Sequence, residues 1–484
     1  MRTTLFCLAF CISLAATAQI NITYQESPRQ LTPPMNNNEV LKRFSSIIAA
    51  TTISCDDSCK TNYGPYLQLI NFLQDHYPLL HQQLDRKIIN NYSLLYKWEG
   101  TDTSLSPNLL ISHYDVVPVE QHAMHKWLCE PFAGVVDTAF IWGRGTIDAK
   151  FQLAAILEAT ETLLAENYKP ERTIYFAFGH DEETGGRNGA ARISQYLQDQ
   201  HLTFNMILDE GGGIADGIFP GVVEPIAFIG TSEKGFMNIE LSVEEAGGHS
   251  SAPPRETPIT ILSNGIAKLN SSPMKSKMNH ATEEMLVTVK PYMDRKSRFA
   301  MNHQKLFRKR ILRQLAANPA SDALIRTSIS PTMIQGGVKE NSLPSFASAN
   351  LNVRSLPEDS PDEIRAHIIT TLGDARIKVK IQPGTKSSIS ETRTSSAAYQ
   401  NLKHIIQLHF PGTIVAPVIC IATTDSHHYA AMSSNILRFT PAVINDAEKH
   451  MMHGENERIS IRNYLQSIRF YHDLIKASDP HHPG

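Results

Sequence analysis

The run Asn108-Leu109-Leu110-Ile111-Ser112-His113-Tyr114-Asp115 decides the reading of this chain. A short apolar stretch without alternation has the texture of a strand buried on both faces. It ends on a histidine and an acid, which a buried strand does not need for packing. The same pattern returns twice further on. Thr173-Ile174-Tyr175-Phe176-Ala177-Phe178 leads through Gly179 to His180-Asp181-Glu182-Glu183, and Phe204-Asn205-Met206-Ile207-Leu208 leads directly to Asp209-Glu210. Between the first two strands, residues 151–165 carry Leu153, Ile156, Leu157, Thr160, Leu163 and Leu164 at helical spacing. Strands alternating with helices predict an α/β domain with a largely parallel sheet.

Loops at the carboxyl ends of parallel strands converge on one crevice, where ligands bind. His113, Glu183 and Asp209 fall at such ends. Asp148 closes the glycine-bracketed loop Gly143-Arg144-Gly145-Thr146-Ile147-Asp148, and His453 follows the late strand Ile436-Leu437-Arg438-Phe439. Two imidazoles and three carboxylates suit zinc, and also cobalt or manganese. One carboxylate bridging two ions about 3.5–4 Å apart would complete a two-metal hydrolytic centre. Asp115 is placed to hold the second nitrogen of His113. Glu182, beside a ligand, is placed to take a proton from water and pass it to a leaving amine. Singly, each residue has an ordinary explanation: Asp148 as a helix N-cap, His453 as a surface histidine. Their joint placement is what carries the reading.

The 484 residues are 42% hydrophobic and 19% charged with net charge −3, which excludes a disordered chain and the clustered basic face of a nucleic-acid binder. Residues 1–18, MRTTLFCLAFCISLAATA, combine one basic residue, an apolar stretch and Ala16-Thr17-Ala18, the pattern of a signal peptide too short for a stable anchor. Export, to a periplasm or outside the cell, is therefore expected, with no membrane span in the mature chain. Of the remaining cysteines, Cys55 and Cys59 are candidates for a disulfide in an oxidising compartment, and Cys129 and Cys420 for buried packing. From about residue 234, Met237–Val243 and Ala347–Arg354 alternate polar and apolar, as half-exposed strands do. Residues 19–233 and 385–484 are read as one catalytic domain and 234–384 as a smaller α+β domain inserted into it.

Seven stretches resemble the M20 family of metallopeptidases, the group of Gly-X carboxypeptidases, aminoacylases and related amidohydrolases. They are SHYDVVPVE (112–120), WGRGTIDAK (142–150), FGHDEETGG (178–186), LDEGGG (208–213), GGHSSAPP (247–254), TTDSHHY (423–429) and MHGENERIS (452–460). The chain is most similar to the larger branch that holds the carboxypeptidase S type and the secreted N-acyl-amino-acid hydrolases. The resemblance implies a zinc-exopeptidase-like catalytic domain and an inserted lid, through which a homodimer would form. It implies two Zn²⁺ per chain: His113 and Asp209 on one, Glu183 and His453 on the other, Asp148 between them. It makes Asp115 the orienting aspartate, Glu182 the general base and His249 a lid histidine that polarises the scissile carbonyl. Asn341 and Arg354 match substrate-contacting lid positions, and an arginine can fork onto a carboxylate. Two departures stand out: Ala149 follows Asp148 where a second acid is common, and His427 stands where relatives commonly carry arginine. The implied reaction is hydrolysis of an amide next to a free carboxylate, in a peptide or an N-acyl amino acid. The alternatives are an aminoacylase or deacetylase of small N-acyl compounds, and a metal-dependent peptide-binding protein without turnover.

Overall fold

The structure is a computed structural model that describes residues 36–55, 57–217, 221–386, 388 and 391–479. The signal-peptide reading of residues 1–18 lies outside them. Among the described residues, no helix is long and apolar enough to cross a membrane.

Among the described residues, ten strands form the main sheet. Its centre runs Ile174–Gly179, Asn108–His113, Met206–Asp209, Ile436–Arg438, all parallel to one another. Ser93–Trp98 and Asp85–Ile89 extend one side antiparallel, and Ile226–Glu233 crosses antiparallel on the other, where it also pairs in parallel with Ile414–Cys420. The three strands expected to carry chemistry are therefore neighbours, and their carboxyl ends share one edge. Asn108–His113 and Ile174–Gly179 are buried along their whole length, which explains their unbroken apolar runs.

The helix Lys150–Ala165 is buried on nearly every side, beneath the sheet and against Ile461–Ala477. Burial on all sides forces its polar groups to be answered. Arg43 donates two bonds to Glu158, at 2.7 and 2.5 Å, and the Tyr77 hydroxyl adds a third at 2.9 Å. Lys150 donates to the carbonyls of Ile47 and Ala50, tying the first helix, Asn37–Ala49, to this one.

A second, four-stranded antiparallel sheet runs Ser328–Gly336, Phe346–Ser355, Gly235–Glu244, Lys378–Ile381. Its two central strands alternate buried and half-exposed residues, and the buried face packs on the helices Pro258–Ser271 and Pro361–Leu372 around a core of its own. The helical run between residues 280 and 315 behaves differently. Met285, Leu286, Val289 and Ile311 share a core with Ile226, Ile414 and Ala416 of the main sheet. The segment 234–384 thus holds two packing units, one turned to its own sheet and one to the large one. Sequence periodicity shows that a helix has an apolar face but not what that face meets.

Cys55 and Cys59 are free thiols, not a bonded pair; Cys420 is buried and Cys129 partly so.

Candidate metal centre

His113 is the last residue of its strand and 1% exposed. Its Nδ1 donates to the Asp115 main-chain carbonyl at 3.0 Å and lies 3.4 Å from that residue's carboxylate. The tautomer is thus fixed chiefly by the main chain. The Asp115 carboxylate accepts bonds from the Glu182 and Glu183 amides, at 3.0 and 3.1 Å, and from the Ser54 hydroxyl. Its role is to lock the turn bearing the two glutamates against the histidine strand.

The other nitrogen, His113 Nε2, faces Asp148 Oδ1 at 3.0 Å and Glu210 Oε1 at 3.2 Å. Asp148 Oδ2 lies 2.9 Å from His453 Nε2, which also meets Glu183 Oε2 at 3.3 Å. Asp148 therefore stands between two imidazoles, each with a further carboxylate. It does not cap the following helix, whose N-cap is Ala149 with no side-chain bond. His453 is half-exposed and sits in left-handed backbone at φ +58°, uncommon for a non-glycine residue and typical of sites where function holds a conformation.

The structure does not bring Asp209 into this cluster. Its Oδ1 accepts the Glu210 amide at 2.8 Å and its Oδ2 the Ser426 amide at 2.7 Å, so both oxygens are engaged away from His113. Glu210 takes the position expected of Asp209. Consecutive residues of a strand end point to opposite sides, so a one-residue choice reverses which acid faces the crevice. Both acids stand in the sequence, and only the register separates them.

Glu182 offers a carboxylate oxygen within 4.8 Å of His113 and Glu210. Burial, followed by the charges of Glu210, Asp425 and Glu183, pushes its carboxyl well above the usual range. Burial also raises Glu210, to about 8. Hydrogen bonds that His453 donates to the Asp148 and Glu183 carboxylates draw its imidazole up to about 10. Glu183 Oε1 is buried with no hydrogen-bond partner among the described residues. Crowded carboxylates, imidazoles that share them and an orphaned carboxylate oxygen fit a site for divalent cations of nitrogen- and oxygen-binding type.

Other residues brace the centre without having been singled out from sequence. Glu457 is fully buried, accepts the amides of Gly145 and Ile147 at 3.0 and 2.8 Å, and pairs with Arg144 at 2.6 Å. It shapes the loop that presents Asp148. Arg438, also fully buried, pairs with Glu233 at 2.8 Å, and Glu233 in turn accepts the Thr424 amide. Asp425 is buried behind two glycines: a Cβ on Gly186, at φ +66°, would come within 2.2 Å of its carboxylate. In sequence Arg144, Asp425 and Glu457 sit inside the quoted motifs, beside more conspicuous neighbours, whereas Glu233 and Arg438 lie outside them.

Arg354 donates to the Thr423 hydroxyl at 3.1 Å, and its guanidinium lies 4.8 Å over the Phe236 ring. It thus reaches from the small sheet to the main domain. His249 and Asn341 do not enter the cluster. Both are exposed; Gly248–His249 pairs with Ser342–Leu343, the Ser250 amide donates to the Asn341 carbonyl, and His249 Nδ1 meets the Ser251 hydroxyl.

Fold and centre define a mixed α/β chain with a mainly parallel central sheet, organised around a candidate site for divalent cations. The model of peptidase family M20/M25/M40 matches residues 109–477. Among relatives, "Probable carboxypeptidase S-like 2" of Dictyostelium discoideum is 40% identical over 92% of this chain and 86% of its own length. "N-fatty-acyl-amino acid synthase/hydrolase PM20D1.1" of Danio rerio is 35% identical over 92% of this chain and 87% of its own. An M20 family metallo-carboxypeptidase from Sulfolobus solfataricus shares the fold, with TM-score 0.67 and 18% identity over 90% of this chain and 98% of its own. The chain belongs to the M20 peptidase family and is an enzyme of that metal-dependent class.

Proposed function

We propose that this chain is an exported di-zinc hydrolase that cleaves an amide bond next to a free carboxylate, in a C-terminal peptide position or an N-acyl amino acid. The observation that carries the reading is Asp148 shared between His113 and His453, each with a second carboxylate beside it. His113 and Glu210 would hold one cation, His453 and Glu183 the other, with Asp148 reaching both. The similar proteins named for carboxypeptidase and for N-fatty-acyl-amino acid hydrolysis support the substrate class.

When bound, the cations act as Lewis acids on the scissile carbonyl and the attacking water. Glu182 takes the proton from that water and delivers it to the leaving nitrogen. Asp115 holds the Glu182–Glu183 turn in place. Arg354 receives the substrate's free carboxylate. His249 and Asn341 reach the substrate only if their hairpin moves toward the crevice or comes from a second copy. Met333, Ile334 and Phe346 are exposed on and beside the edge strand Ser328–Gly336, which offers a face for such a homodimer. Ile334→Lys should then give a monomer in sedimentation; an unchanged mass removes that face.

Glu182→Gln tests the mechanism. It should leave two transition-metal ions per chain and lower kcat by about 10²–10⁴-fold. Unchanged turnover would remove Glu182 from the reaction, and a metal-free chain that still hydrolyses amides would end the reading altogether.

A further inference from the structure

A cleft of about 530 Å³ lies beside the centre, lined by Arg187, Gly384, Thr385, Lys386, His427 and His428. Lys386 Nζ and His428 Nε2 both donate to the Gly185 carbonyl, at 3.2 and 3.1 Å, so the cleft abuts the turn that carries Glu182. Its positive charge belongs to Lys386 and Arg187. The two imidazoles contribute none near neutral pH, since burial brings His427 down to about 3 and His428 to about 4. No carboxylate lines the cleft among the described residues. Asp425, whose charge acts on Lys386, lies behind Gly179 and Gly186.

The backbone sets this cleft next to Arg354. Phe236 exchanges both main-chain hydrogen bonds with Lys386, at 2.9 and 2.8 Å, and stands directly opposite Arg354 on its other side. Directly opposed residues share a face, so Arg354 and Lys386 flank Phe236 with main chains about 10 Å apart, two strand spacings. Glu182 acts electrostatically on both cations. Long side chains on that face can close on two anionic groups of one small molecule at the same rim.

We propose that this cleft is a second anion subsite, and that the chain prefers substrates whose carboxyl-side residue is itself acidic: N-acyl-glutamate, N-acyl-aspartate, or peptides ending in Glu or Asp. The inference rests on the reaction proposed above. Arg354 receives the α-carboxylate, and Lys386 with Arg187 the side-chain carboxylate. A neutral amide of the same shape loses the charge-assisted bonds.

The zinc-loaded enzyme should show a kcat/KM for N-lauroyl-glutamate at least about ten-fold above that for N-lauroyl-glutamine. Lys386→Met and Arg187→Met should each reduce that ratio several-fold, and Lys386→Arg should retain most of it. Equal rates on the two substrates, or a ratio indifferent to both methionine variants, would overturn the subsite while leaving the hydrolase reading intact. Failure to turn over these compounds, N-lauroyl-leucine and dipeptides alike would instead strike the hydrolase reading. Calorimetric titration of N-lauroyl-glutamate and N-lauroyl-glutamine into zinc-loaded Glu182→Gln decides the subsite without turnover: a lower Kd for glutamate supports it, and equal Kd values refute it.

Discussion

The edge of the main sheet and the His249–Asn341 hairpin were both expected to contribute to one site, and they are built in opposite ways. His113 is 1% exposed at the end of its strand, and the half-buried Asp148 and Glu183 sit on turns whose amides are bonded to the Glu457 and Asp115 carboxylates. His249 and Asn341 sit on two short paired segments in solvent, bonded mainly to their immediate neighbours. The difference separates a centre that is organised in advance from a contact that has to be brought to it. Pre-organised donors cost no rearrangement during reaction, whereas a mobile group can respond to substrate.

The sharpest way to break this comparison lies inside the rigid half. Glu210→Ala should remove about one metal ion per chain and reduce turnover by more than about 10³-fold, as loss of an open metal site's ligand does. Asp209→Asn should keep both ions and lower the unfolding midpoint instead. Metal analysis of the two variants side by side gives the answer, and loss of metal from Asp209→Asn alone would restore the assignment read from sequence. Glu457→Ala follows in size. Breaking a buried pair that also serves the amides of Gly145 and Ile147 should cost about 3–5 kcal/mol, read as a shifted denaturant midpoint. His249→Ala should shift stability by less than about 0.5 kcal/mol, as exposed substitutions do. It should nevertheless lower kcat with metal content unchanged; a destabilised or metal-poor variant would place His249 in the rigid half after all.

The architecture was legible because buried parallel strands write unbroken apolar runs, and chemistry at their ends stands out as residues that packing does not require. That logic located His113 and Glu183 at adjacent strand ends and anticipated the helix Lys150–Ala165. It chose Asp209 where the structure turns Glu210 toward His113, since which of two neighbours faces the crevice depends on where the strand's last peptide turns. It could not find Glu457 or Arg438: a buried charge is recognisable only by the partner it meets, and Arg144 lies more than three hundred residues from Glu457. The attachment of the helix His280–Val289 to Ile414–Cys420 is a long-range contact that periodicity does not encode.

The sharing of Asp148 between His113 and His453 spans 340 residues of chain. Proteins are synthesised from the amino terminus and fold as their units emerge. A nascent chain that has delivered His113, Asp148, Glu183 and Glu210 still lacks His453, the Glu457 brace, and the helix Ile461–Ala477 that packs on Lys150–Ala165. The centre therefore closes only when residues 453–477 have joined the earlier donors. A chain that stops before them carries most of the donors but neither His453 nor the Glu457 brace.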